Sequence, residues 1–194
     1  MTAVLGVSAA ASAPVRAQDA QSMLAEWGID ASALMQGSED LLLRAPDPAI
    51  DGLFQAVHAS ARTPAEARAL CGLFEPDADR SLAGLNQVAT QLGEASRARF
   101  ADAAAQAFVA AAQNPRQPYD PTQAQQWMKA AGVRAALLND GFSTGLTGAD
   151  RDARCRAIGQ LLDALQSRPL GERAAVTRLL LGEGLARIAA VPAQ

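Results

Sequence analysis

The feature that most constrains this chain is the spacing of its large apolar residues, which is helical wherever it is regular. Ile50, Leu53, Phe54 and Val57 fall at i, i+3, i+4 and i+7, the stripe of a helix half-buried in a core. Ala33, Leu34, Leu41 and Leu42 recur in the same way ahead of Pro46, as do Leu82, Leu85, Val88 and Leu92 ahead of Gly93. No segment offers a convincing alternation of apolar and polar residues, the pattern of a half-buried strand. The expected fold class is therefore all-α, without a sheet.

Proline, glycine and capping residues divide the helical pattern. A first short helix is expected from Gln18 to Trp27, with Met23, Leu24 and Trp27 on one face and Gly28 as its stop. Asp30 would cap a second, reaching Ala45, and a third would run from Asp47 to Ser60. Thr63, Pro64 and Glu66 spell a capping box with proline at the first helical position: the Thr63 hydroxyl would accept from the Glu66 amide while the Glu66 carboxylate reaches back. That helix would extend through Phe74, and Asp77 or Asp79 would cap the next. An alanine-rich helix from Glu94 to Gln113 has Phe100, Phe108 and Val109 as its large apolar residues. Asn114 to Tyr119 reads as a linker, after which Asp120 and Pro121 open a helix bearing Trp127, Val133, Leu137 and Leu138. Asn139 to Gly148 reads as a glycine-rich loop, and Thr147 or Asp150 would start the helix of Ile158, Leu161, Leu162 and Leu165. Arg168 and Pro169 separate it from a last helix with Val176, Leu179, Leu180 and Ile188. The expectation is eight or nine helices in a compact orthogonal bundle, forming one domain over residues 18–194.

Charge and compartment narrow the function. Seventeen basic and twenty acidic residues give a net charge of −3, with both signs interspersed, which argues against nucleic acid as a partner. No apolar run approaches the roughly 18 residues that span a bilayer, so membrane insertion of the mature chain is not expected. Thr2 to Ala13 is a run of small and apolar residues ahead of Pro14, Val15, Arg16 and Ala17. Residues 1–17 thus look like a secretory signal peptide, with Ala13 or Ala17 as the last residue before a cut, or else like a flexible alanine-rich tail.

Cys71 and Cys155 are the second pointer to compartment. Separated by 84 positions, they cannot form a CxxC redox motif or a cysteine-based zinc cluster. They can form one disulfide, which would stabilise the fold by about 4 kcal/mol through loop closure, or stand as two separate buried thiols. A disulfide would accord with a periplasmic location.

Motifs that carry chemistry are few. Gly141, Phe142, Ser143, Thr144 and Gly145 match the G-x-S-x-G string of a nucleophile elbow, but an elbow needs a strand before it and a histidine after it. The one histidine, His58, precedes Ser143, and its neighbours Phe54 and Ala61 suit partial burial in packing. Glu75, Asp77 and Asp79 lack the glycine and glutamate of a calcium loop and read better as helix caps. Arg151, Arg154 and Arg156 around Cys155 are expected to pair with Asp150, Asp152 or another helix. Neither a P-loop nor a G-x-G-x-x-G string is present. No catalytic, metal or cofactor site is therefore expected.

The signal-like Thr2 to Ala17, the Cys71 and Cys155 pair, the helical body and the segment Gly141 to Gly148 together resemble, in general character, the periplasmic immunity proteins directed against type IV and type VI secreted antibacterial effectors. The resemblance implies a toxin inhibitor that binds a protein partner, with Asp140, Phe142, Ser143 and Thr144 as a candidate partner-binding loop. The alternatives are an envelope-associated hydrolase or lyase, and a structural envelope protein without a tight partner.

Overall fold

The computed structural model describes residues 31–75, 78–79 and 82–189. Among them are nine helices and no strand: α1 (Ala31–Arg44), α2 (Asp47–Ala61), α3 (Pro64–Gly72), α4 (Leu82–Gln91), α5 (Glu94–Gln113), α6 (Pro121–Leu138), α7 (Phe142–Thr147), α8 (Arg151–Gln166) and α9 (Leu170–Ala189). The chain is all-α, as its apolar spacing predicts. The expected helix from Gln18 to Trp27, the segment 1–17, and the expected caps Asp30 and Asp77 lie outside the described residues.

Two of the expected caps form. Asp120 accepts from the Thr122 amide at 2.8 Å and the Gln123 amide at 3.3 Å, opening α6. Asp150 does the same for α8, accepting from Asp152 at 2.9 Å and Ala153 at 3.2 Å. Each satisfies amides that the helix's first turn leaves without a carbonyl.

The capping box at Thr63 does not form. Thr63 sits at the cap position of α3 with no side-chain bond to the helix. The Glu66 carboxylate turns away to the start of α5, accepting from the Gly93 amide at 2.9 Å and the Ser96 hydroxyl at 2.6 Å. A buried carboxylate at the positive end of a longer helix satisfies orphan donors that would otherwise go unmet, which decides the competition.

The expected loop at Asn139 to Gly148 is also corrected, because it contains α7. Gly141, at φ 81°, makes the left-handed turn out of α6, a conformation glycine adopts without strain. Phe142 then enters the core at 5% exposure. Gly145 seats α7 on α8: a β-carbon there would stand 2.8 Å from the Ala153 carbonyl oxygen.

α2 lies at the centre, packed on α5 and α9 and touching α3 and α8. α9 also meets α1 and α6, and α6 closes over α8. Thirteen of the 21 buried apolar residues among those described are alanines, so the helices approach closely rather than interleaving long side chains. Around that alanine framework, Phe54, Phe142, Leu165 and Val176 form the principal cluster with Trp127, Met128, Leu161 and Leu162.

Arginines lock the last helix to the second. Arg173 on α9 donates to both Asp51 oxygens, at 2.7 and 2.8 Å, and lies 5.9 Å from the centre of the Phe54 ring. Arg178, 2% exposed, donates to Asp47 and to the Ala45 carbonyl. The segment 114–120, read as a linker, is tied down. The Gln117 amide donates to Leu43 at 2.8 Å, and Arg44 donates to the carbonyls of Ala111 and Asn114 at 3.1 and 3.0 Å.

Candidate functional site

α6 has two apolar faces, and the face of smaller residues is the buried one. Ala124, Ala131 and Ala135 are fully buried, with Trp127 and Met128 beside them. Val133, Leu137 and Leu138, the large apolar residues of the helix's second half, are exposed by 61%, 82% and 67%. The physical reason is distance. α6 rests against both α8 and α9, and alanines permit a backbone approach that a leucine stripe would hold off. α5 is arranged the same way: Ser96, Ala103, Ala107 and Ala111 are buried, while Phe108 and Val109 are each 53% exposed.

The outer face of α6 is an ordered apolar ridge. Ala130, Val133 and Leu137 fall at i, i+3 and i+7, on one line along the helix opposite its buried alanines. Lys129 and Arg134, both exposed, border that line on its two sides, and no Asp or Glu occurs between Pro121 and Leu138. Leu146, 40% exposed on α7, adds apolar surface just beyond the end of α6.

Beyond the ridge, a groove of about 250 Å³ lies between α7 and α8. It is lined by Asp140, Gly141, Thr144 and Gly145 on one side and by Ala153, Arg156 and Gln160 on the other. Two of the expected partner-binding residues, Asp140 and Thr144, therefore line a cleft. Ser143 is exposed on α7. Phe142 is not available to a partner, because it is a core residue. Its ring is the largest apolar group in that segment, and burying it is what folds the segment into a helix.

The base of α7 is braced from outside. Cys71 on α3 and Cys155 on α8 form a disulfide, with their α-carbons 5.4 Å apart. Beside it Arg154 pairs with Glu75 and donates to the Gly148 carbonyl at 2.7 Å, while Arg151 lies 3.8 Å from Glu75. α3, the end of α7 and the start of α8 thus form one cross-linked unit. Arg151 and Arg154 meet Glu75, three positions past the end of α3, rather than Asp150, Asp152 or another helix. Glu75 takes part in an ion pair.

His58 on α2 is partly buried and lies stacked 5.9 Å from Phe54. Its Nε2 is 2.8 Å from Oδ1 of Asp163 on α8. The two residues line a second groove of about 350 Å³ together with Ala61, Arg62 and Gly159. Ser143 is not part of that groove, and α7 follows a helix rather than a strand, so the G-x-S-x-G string is no nucleophile elbow. Asp163 is 105 positions from His58, a pairing that no local spacing could have signalled.

Three ionisable groups shift for clear reasons. The hydrogen bonds to Asp51 raise the pKa of Arg173 above its usual range. The Glu66 carboxyl is held below its usual range by the bonds from Ser96 and Gly93, against the opposing effect of burial. Burial pushes the Tyr119 hydroxyl up. Among the described residues no group of three or more His, Cys, Asp or Glu could hold a metal ion, and no helix is long and apolar enough to cross a membrane. No protein-family model, curated protein or solved structure matches this chain.

Proposed function

We propose that this chain is an exported protein-binding module and, within that class, an inhibitor that neutralises a secreted antibacterial toxin in the periplasm. The observation that carries the binding reading is the outer face of α6, where Val133 and Leu137 are held out opposite the buried alanines, with Leu138 exposed at the helix end. Large apolar side chains clustered on a well-packed helix are what a docking partner covers. The Cys71–Cys155 disulfide supports an oxidising compartment. The signal-like residues Thr2 to Ala17 support export and, with it, the narrower inhibitor reading.

Deleting the gene in its own organism tests this directly. The deletion strain is expected to become sensitive to sister cells, and the wild-type gene to restore resistance. Leu137→Asp, folded as judged by circular dichroism, is expected not to restore it. A deletion strain that stays resistant overturns the inhibitor reading, and full rescue by Leu137→Asp overturns the role of the α6 face.

A second reading, an envelope-associated hydrolase or lyase, draws on one observation, the hydrogen-bonded His58 and Asp163 in their groove. Substrate screening with wild type and His58→Ala separates it from the first. An activity lost in the variant establishes it.

A further inference from the structure

We infer that the partner docking on α6 presents an acidic amphipathic helix. The inference rests on the binding reading above and adds the chemistry of the occupant. The ridge Ala130, Val133 and Leu137 runs straight along α6 with Lys129 on one side and Arg134 on the other, and Leu138 follows Arg134 by one turn. Among the described residues neither cation has a hydrogen bond or an ion pair, and α6 itself carries no acid to answer them. The acids that flank the helix in sequence are Asp120, its N-cap, and Asp140, beyond its end in the groove that Arg156 also lines. A helix laid along this ridge, with leucines facing Val133 and Leu137 and glutamates on both flanks, would cover the apolar residues and pair both free cations at once.

Other occupants fit less well. A second copy docked face to face would bring Lys129 and Arg134 against their own equivalents, because a two-fold interface presents the same patch twice. An anionic membrane is commonly engaged by clusters of about four to eight basic residues. α6 offers two, and its one aromatic residue, Trp127, packs inward.

The test uses the full chain and two synthetic helical peptides of about 18 residues, with the same leucine stripe and either glutamate or lysine on both flanks. Binding is followed by fluorescence anisotropy. The glutamate peptide is expected to bind at least about tenfold more tightly than its lysine twin, and to weaken as salt is raised. The double variant Lys129→Glu with Arg134→Glu is expected to reverse the preference, and Leu137→Asp to abolish binding of the glutamate peptide without changing the thermal melt. Equal binding of the two peptides, no binding of either, or a preference that survives the double charge reversal overturns the inference. So does sedimentation with phosphatidylglycerol vesicles that Leu137→Asp removes, which assigns the face to lipid. A concentration-dependent rise in mass that Leu137→Asp removes assigns it to a second copy.

The two readings fail separately. If Leu137→Asp loses resistance to sister cells while the double charge reversal keeps it, the binding face stands and the acidic partner falls. If the peptides switch as expected while the deletion strain stays resistant, the acidic partner stands and the toxin reading falls.

Discussion

The Glu66 carboxylate on α3 accepts from the Ser96 hydroxyl at 2.6 Å and the Gly93 amide at 2.9 Å, so α5 is capped by a side chain from a different helix. Replacing it with glutamine keeps the shape and removes the charge that the helix end favours. Glu66→Gln is expected to lower stability at pH 7 by about 1–2 kcal/mol, the usual size of a lost cap.

The same contact sets a pH dependence. The folded-state pKa of Glu66 lies below its ordinary value of 4.5. Its contribution is therefore fully present above that value and is lost as pH falls through the lower folded pKa. Urea unfolding of wild type and Glu66→Gln between pH 7 and pH 3 (roughly the span over which carboxylates titrate) checks the sign. The gap between the two proteins should narrow as pH falls, and a constant gap would sink the assignment.

Among the described residues Asp51 and Arg173 form the most enclosed ion pair, with side chains 10% and 13% exposed. Asp51→Ala is expected to cost about 3–5 kcal/mol, because it leaves a guanidinium without its partner in a dry setting. The double change Asp51→Leu with Arg173→Leu is expected to recover much of that loss. Chemical denaturation of the two variants against wild type measures both, and a double variant no better than the single would reject the account.

Reducing the Cys71–Cys155 bond frees a loop spanning a separation of 84 residues. Reduction, or the pair of changes Cys71→Ser and Cys155→Ser, is expected to lower stability by about 2–5 kcal/mol. Thiol titration of the denatured, unreduced protein should find no reactive thiol, and titration after reduction should find both.

The inverted faces of α6 predict opposite tolerances. Ala131 is fully buried and Leu137 is 82% exposed. Ala131→Leu is expected to cost about 1–3 kcal/mol by forcing α6 off its neighbours, despite being the more hydrophobic choice. Leu137→Ala is expected to change stability by no more than about 0.5 kcal/mol. Thermal melts of the two variants would reverse that order if the leucine face were the packed one.

What the sequence determined by itself is eight of the nine described helices and most of their ends. Helices close their hydrogen bonds within four residues, and their caps act over two or three, so Asp120, Pro121 and Asp150 mark starts that a local reading can find. The sequence also limited the chemistry, since one histidine placed before Ser143 leaves the G-x-S-x-G string without its base.

The tertiary structure alone decided which way those helices face and what their side chains meet. Reading the larger apolar residues as core assigns Leu137 to the interior, whereas close approach of α6 to α8 and α9 favours Ala131 there. Thr63 and Glu66 carry a valid local cap, and the unmet donors of α5, 27 positions on from Glu66, outbid it. Phe142 lies in a segment rich in turn residues and still becomes core, because α6 and α8 leave a place for its ring. Each outcome turns on a neighbour distant in sequence, and the exposed ridge on α6, the surface proposed to bind, is what those packing decisions left outside.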